Sequence, residues 1–330
     1  MPAILGGIIM RKPRLSLAAT LVAAIIVSSA AEASCPTGAT VAKVTKKTSA
    51  VRSGGKIYFR TSGLQLDFDG SPRAYGVRNQ GEENICVGLA PSDPPCRGKY
   101  RGTCYPVCQS TFAKWSRTSG DPARIGDTMC SVGLGGSECS KPDVRLQDAP
   151  NQDWFVSETS LKTGSPSGSN TAAWLRGQAA QLDPAKIRYL VAPGSLMKPP
   201  WKARLGDVGI AFNGDTKQPI PFIVGDGGGL GEGSVSLLAA LRPDKPPKLK
   251  KVRSALGEDA MRYTSGIGGN FQFVIFTGTA SNAAGSNHVT SRPAAELGDW
   301  IDATAKSAFQ NASSVAEVAG CSALAPVIKK

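Results

Sequence analysis

The chain has 330 residues, a formal net charge of +13, eight cysteines and a single histidine, His288. One imidazole excludes a multi-histidine metal site, and any Ser-His-Asp or Cys-His arrangement would rest on that one residue in a polar, Gly/Ser-rich loop. The length suits one large domain or two small ones, and the charge favours anionic surroundings such as cell-wall polymers, lipid headgroups or nucleic acid.

In chain order, the first signal is the basic cluster Arg11, Lys12 and Arg14, then the apolar run LSLAATLVAAIIVSSAA from Leu15, then Ala31-Glu32-Ala33. Basic, apolar and small residues in that order predict a secretory signal peptide cut after Ala33. Residues 1–33 are then a leader and 34–330 a secreted or periplasmic protein. A retained anchor is the competing reading, because the run approaches spanning length. Its Ala/Ser content and the A-x-A site favour cleavage, and no later apolar run is long enough to span a bilayer. Three basic residues and one acidic residue leave with the leader, so the mature chain keeps a net charge of +11.

All eight cysteines follow Ala33, and an even count in an exported chain predicts disulfides, up to four, with connectivity open. Cys86, Cys96, Cys104, Cys108, Cys130 and Cys139 crowd one segment, read as a stapled insertion at about 84–140. The spacing of Cys104 and Cys108 is one zinc could use. No histidine is near, however, and exported thiols oxidise, so neither metal nor cofactor is expected.

Lys56–Gly70 alternates and is expected to turn on Ser62-Gly63 as a hairpin. Further strand candidates are Asp153–Leu161, Ile187–Gly194, Asp207–Asn213, Pro219–Gly225 and Phe271–Gly278, rich in Val, Ile, Phe and Tyr between Gly, Pro or Asp. The runs at Asp207–Asn213 and Pro219–Gly225 flank NGDTKQ and predict a hairpin with an Asn-Gly turn. Helices are predicted at Ser234–Arg242, capped by Ser234, and at Ser291–Gln310. The sum is a β-dominated α+β domain with a compact, barrel-like β core, a few helices and the disulfide-rich insertion. The basic stretch Arg242–Arg253 contains prolines and no aromatics, so a solvated loop is preferred to a nucleic-acid site.

With metal and histidine chemistry set aside, carboxylates remain. Glycosidic hydrolysis needs only two of them, one protonating the leaving oxygen and one activating water or attacking carbon. The strand PIPFIV leads into Gly225-Asp226, glycines turn the chain, and Glu232 follows just ahead of the helix SVSLLAAL. Asp226 and Glu232 are therefore the candidate catalytic pair. Each also has a plainer role, Asp226 as a turn residue and Glu232 as an acid near a helix start. Asp67 and Asp69, two apart, could bind ammonium groups or cap the Gly70-Ser71-Pro72 turn. Asp207 is read as substrate-binding or structural. Trp154, Trp174, Trp201 and Tyr75 are candidates for sugar stacking or for the core.

The stretch GDVGIAFNGDTKQPIPFIVGDGGGLGEGSVSLLAAL resembles the core of glycoside hydrolase family 75, the fungal-type chitosanases: a strand, Gly-Asp, a short loop, then Gly-Glu, a small residue, Ser and an apolar helix. LQLDFDGSPRAYG resembles that family's Asp-x-Asp-Gly segment, and Pro193–Ser195 and Gly206-Asp207 fall in the expected order between them. The likeness covers roughly residues 56–76 and 150–242. It implies endo-hydrolysis of β-1,4-linked glucosamine polymers with inversion. Glu232 would be the general acid, with a raised pKa, and Asp226 the base, with the pair about 6.5–9.5 Å apart. The Asp-to-Glu loop is shorter and richer in glycine than in fungal members, and nothing in the family corresponds to the cysteine-rich insertion. Since chitosan is cationic, the cleft of so basic a protein must be locally acidic. The resulting expectation is a monomeric, exported polysaccharide hydrolase that binds neither nucleic acid nor membrane. The alternative is a non-catalytic exported cell-wall or glycan-binding protein.

Overall fold

The computed structural model describes residues 35–83, 110, 113, 147–151, 153–254, 257, 259–263, 266–280, 289–290 and 292–329. The expected leader, nearly all of the insertion at 84–140 and His288 lie outside these described residues. β1 (Thr40–Lys43) and β2 (Ser49–Ser53) lead into β3 (Lys56–Asp67). β4 (Tyr189–Ala192), β5 (Val208–Asn213), β6 (Pro219–Gly227) and β7 (Glu232–Ser234) follow, then β8 (Leu249–Arg253), β9 (Asp259–Tyr263) and β10 (Ile267–Phe276). Among the described residues, α-helices include α1 (Ala172–Arg176), α2 (Val235–Leu241), α3 (Ala294–Ala312) and α4 (Val315–Leu324).

Strands β3, β10, β5, β6, β4 and β7 join edge to edge in that order, and β7 pairs back onto β3, which closes a six-stranded barrel. The expected β-dominated α+β fold with a barrel-like core is the one that forms. Closure leaves none of these six strands as a free edge, while β2 and β1 continue the sheet outward from β3. β3 is long enough to serve three partners. Its first residues pair with β2, its last three run parallel to β7, and its other edge pairs with β10. The β4–β6 pairing is also parallel, and the other pairings among the barrel strands are antiparallel.

The strands read as near-continuous apolar runs because both barrel faces are covered. Ile57 and Phe59 of β3, Ala211 of β5, Phe222 of β6 and Phe273 and Ile275 of β10 share one core, with the Phe59 and Phe273 rings stacked at 4.6 Å. Their neighbours Tyr58, Ile210, Phe212, Val274 and Phe276 face outward into a second core with Ala305 of α3 and Val318 and Cys321 of α4. Cys321 is bonded to Cys35, 286 residues away, so α4 is fastened to the start of the domain.

Three local expectations are corrected. Ser62-Gly63 is not a turn. Gly63 pairs with Gly268 and β3 runs straight on, the irregularity being taken up on β10 between Gly268 and Phe271. The C-terminal segment holds this stretch in place: Ser62 N–H donates to Ile328 O at 3.0 Å, and Thr61 Oγ1 lies 2.8 Å from the same oxygen. Asp153–Leu161 is extended but makes no strand. The Arg242–Arg253 loop ends in β8, which pairs with β9 as a separate two-stranded sheet. Its basic side chains remain exposed, as expected, and Asp259 on β9 pairs with Lys251 and Arg253.

The other strand and helix predictions within the described residues match the structure. β4, β5, β6 and β10 lie within or across their predicted runs, and β5–β6 is a hairpin. Its loop spans 214–218, within the predicted NGDTKQ, and Asn213 Oδ1 accepts from Asp215 N–H at 3.1 Å. Ser234 caps α2, its Oγ accepting from Leu237 N–H at 3.2 Å. α3 buries Leu297, Ile301 and Ala305, spaced four apart on one stripe.

Candidate active site

Asp226 is the penultimate residue of β6 and only 5% exposed. Its Oδ1 accepts from the backbone N–H of Ser160 at 3.0 Å, from that of Gly227 at 2.6 Å, and from the Ser160 hydroxyl. Its Oδ2 is sealed from solvent and receives no hydrogen bond. Burial raises its pKa, and the donors from Ser160 and Gly227 oppose that rise by favouring the charged form.

Ser160 reaches Asp226 because two glutamine side chains and the backbone of β6 together hold the segment around it. Ser157 N–H donates to Gln178 Oε1 at 2.9 Å, Thr159 N–H to Gln181 Oε1 at 3.0 Å, and Leu161 N–H to Gly225 O at 3.0 Å. These amides replace the ladder that the sequence predicted and satisfy the same backbone groups.

Asp67 ends β3 and accepts from the backbone N–H of Asp69 at 3.0 Å. The turn then passes through Gly70 at φ 88°, where a Cβ would lie 2.0 Å from Leu182 O, so only glycine fits. Tyr189 of β4 donates its hydroxyl to Asp69 O at 2.7 Å. Asp69 Oδ1 faces the Tyr75 hydroxyl at 3.1 Å and the Ser157 hydroxyl at 3.4 Å. Asp67, Asp69 and Asp226 each place one carboxylate oxygen within 4.8 Å of the other two.

Three carboxyls so close and so little solvated do not all ionise at neutral pH. Burial, then the charges of Asp69 and Asp226, hold Asp67 well above the usual carboxylate range. Burial, then Asp226, pushes Asp69 up to about 7. A cage for a hard cation takes six to eight oxygens. The Oδ1 atoms of Asp226, Asp69 and Asp67 already accept from amides and hydroxyls, and in the absence of a cation the trio is a proton-sharing cluster.

Glu232 opens β7, directly across from Gln65 on the parallel strand β3. Side chains alternate along a strand, so it projects on the same side as Asp67, two residues beyond Gln65. Its charge acts on both Asp67 and Glu83. Gly228 packs closely on β4, where a Cβ would lie 2.9 Å from a Val191 methyl, and it lies beside Glu232, whose Oε2 would be 3.6 Å from that Cβ. The 228–231 loop and β7 thus bring Glu232 to the side of the barrel that carries the aspartates.

Of the residues predicted from sequence, Asp67, Asp69, Asp226, Glu232 and Tyr75 are brought together. Asp207 is not. It is fully buried and spends its carboxylate on the backbone N–H groups of Arg204 at 2.7 Å and Ala280 at 2.9 Å, which overturns its substrate-binding assignment. Trp201 belongs to the core, and Trp174 donates its indole N–H to Thr163 O at 3.0 Å. Sequence reading missed Ser157, Ser160, Tyr189 and Glu83. Glu83 sits 3.3 Å from the Tyr75 hydroxyl, and burial followed by the charge of Asp69 pushes it up to about 7. None of the four stands in a recognisable motif.

A scan against protein-family models and a search of curated proteins found no match to the chain.

Proposed function

We propose that the protein is an exported endo-glycosidase of chitosanase-like type that hydrolyses β-1,4-linked glucosamine polymers by an inverting two-carboxylate mechanism. The observation that carries this reading is the meeting of Asp226 with Asp67 and Asp69, beside Glu232, on a chain that is otherwise strongly basic. A concentrated acidic patch answers the charge conflict with a polycationic substrate, since bulk repulsion is screened beyond about 10 Å while local carboxylates act at contact. Asp226 is assigned the base: Ser160 and Gly227 fix Oδ1, and Oδ2, which holds no hydrogen bond, would take the proton of a water admitted together with the substrate. Glu232, carried by a different element, takes the role of acid. Asp67, Asp69 and Tyr75 line the site for the amino sugar.

Export is part of the proposal. It agrees with the Cys35–Cys321 disulfide, and among the described residues no helix is long and apolar enough to cross a membrane. The test is reducing-end release from chitosan oligomers by the mature protein, with Glu232→Gln abolishing it. A fully active Glu232→Gln protein sinks the assignment.

A second reading, a non-catalytic exported wall- or glycan-binding protein, is favoured by the β8–β9 ribbon, which exposes Lys250, Lys251 and Arg253. It predicts saturable, salt-sensitive binding to an anionic wall polymer with no product formed.

A further inference from the structure

The Tyr75 hydroxyl has one hydrogen and two carboxylate neighbours, Asp69 Oδ1 at 3.1 Å and Glu83 Oε2 at 3.3 Å. Burial and the surrounding carboxylates keep this phenol protonated far above its ordinary range. It can donate to only one of the two acids, and its lone pair then faces the other. That second contact is attractive only when the second acid carries a proton and donates it to the phenol oxygen.

Asp69, Tyr75 and Glu83 therefore favour a state with one carboxyl protonated and one ionised. In one form Glu83 O–H donates to Tyr75, and Tyr75 O–H donates to ionised Asp69. In the other, Asp69 O–H donates to Tyr75, and Tyr75 O–H donates to ionised Glu83. Moving two protons along the chain, one onto the phenol oxygen and one off it, interconverts the forms and leaves the net charge at −1.

We propose that Glu83 is a positioning residue of the carboxylate site: through Tyr75 it sets whether Asp69 carries a proton, and so how readily Asp226 ionises. Charged groups on every side bias the balance. Arg262 of β9 favours ionised Glu83, while Asp69 and Glu232 oppose it. Lys162 favours ionised Asp69, and Asp226 of β6 opposes it. When the proton sits on Asp69, Asp226 faces one negative neighbour fewer and is ionised, ready to accept a proton, at lower pH. Asp67 lies in the same field and feels both Asp69 and Asp226.

The kinetic arm of the test rests on the hydrolase reading. In Glu83→Gln the side chain is neutral at every pH and its NH2 can donate to the Tyr75 oxygen, which leaves the Tyr75 hydroxyl to donate to Asp69 and favours its ionised form. The acid limb of the pH–rate profile is expected to rise by about one pH unit, with KM little changed. In a Tyr75→Phe background the same substitution should move the limb far less, and equal shifts in both backgrounds overturn the proposal.

The second arm needs no activity. Carbon-13 NMR of the side-chain carboxyls, recorded on the mature protein, should show Asp69 and Glu83 titrating together in two shared steps, which separate in Tyr75→Phe. Independent single-step titrations in the wild type would refute the coupling whether or not any glycan is cleaved. Coupled titration without glycan cleavage would leave the coupling standing and remove only the hydrolase assignment.

Discussion

Ser160 gives both its backbone N–H and its hydroxyl to the same oxygen of Asp226. The backbone bond survives any side-chain change, so Ser160→Ala isolates the hydroxyl. Its loss removes a donor that favours the charged carboxylate, and the pKa of Asp226 rises further. Ser160→Ala is expected to lower hydrolysis roughly tenfold near neutrality and to move the acid limb of the pH profile upward, for a stability cost of about 1 kcal/mol. An unchanged pH profile would show that the hydroxyl does not tune Asp226.

Asp226→Asn should separate activity from stability. The amide oxygen still accepts from Ser160 and Gly227, while the new NH2 group turns toward the aspartates and can donate to them. A desolvated charge is exchanged for a donor where none existed. Hydrolysis should fall by about 10²–10⁴-fold, and the melting temperature at pH 8 should hold or rise. A large loss of stability at that pH would contradict the account of Asp226 as an under-satisfied buried acid.

β4, β5, β6 and β10 were legible from sequence because they are apolar runs, and such burial needs no knowledge of its partners; β3 was read by its alternation, and the short β7, Glu232–Ser234, was read as loop. Asp226 and Glu232 were legible because glycines and a strand–loop–helix pattern framed them within a few residues. Glu83 and Ser160 were not, because each matters only through a partner distant in the fold: Ser160 meets Asp226 66 residues on, and Glu83 lies at the margin of the cysteine-rich stretch. Asp207 misled for the opposite reason. A Gly-Asp before a strand looks the same whether its carboxylate faces a ligand or caps the backbone of a remote turn. The Asp153–Leu161 error has the same origin, since nothing local reveals that glutamine side chains stand in for a neighbouring strand.

The Cys35–Cys321 bond closes a loop of 286 residues. By chain-entropy reasoning so long a loop constrains the unfolded state strongly, by on the order of 5–6 kcal/mol before native-state effects. Cys35 also packs against the outer core that holds Val318 and Cys321. Replacing both cysteines with serine should lower the melting temperature by several degrees and expose α4 first, seen as faster amide exchange over Val315–Leu324 than over β10. Equal exchange in α4 before and after the change would mean that packing alone secures the helix.

Stability should fall, not rise, as the pH climbs from about 4 to about 7. Asp69 moves from an ordinary 3.8 to about 7 and Glu83 from 4.5 to about 7, both chiefly because burial penalises the charge. A raised folded-state pKa means the native protein holds more protons than the unfolded chain across that interval. The contribution is therefore fully present below the unfolded values and is lost as the pH passes through the folded ones. A tenfold difference in proton affinity between folded and unfolded chain corresponds to about 1.4 kcal/mol, so the two groups together should cost a few kcal/mol between the ends of the window. Urea denaturation of the mature protein at pH 4.5, 6 and 7.5 measures this directly, and the slope should flatten in an Asp69→Asn, Glu83→Gln double variant. Stability that increases steadily over the same range in the wild type would mean these carboxyls are ionised at little cost. The acidic cluster would then be an open, well-hydrated surface and not a desolvated site.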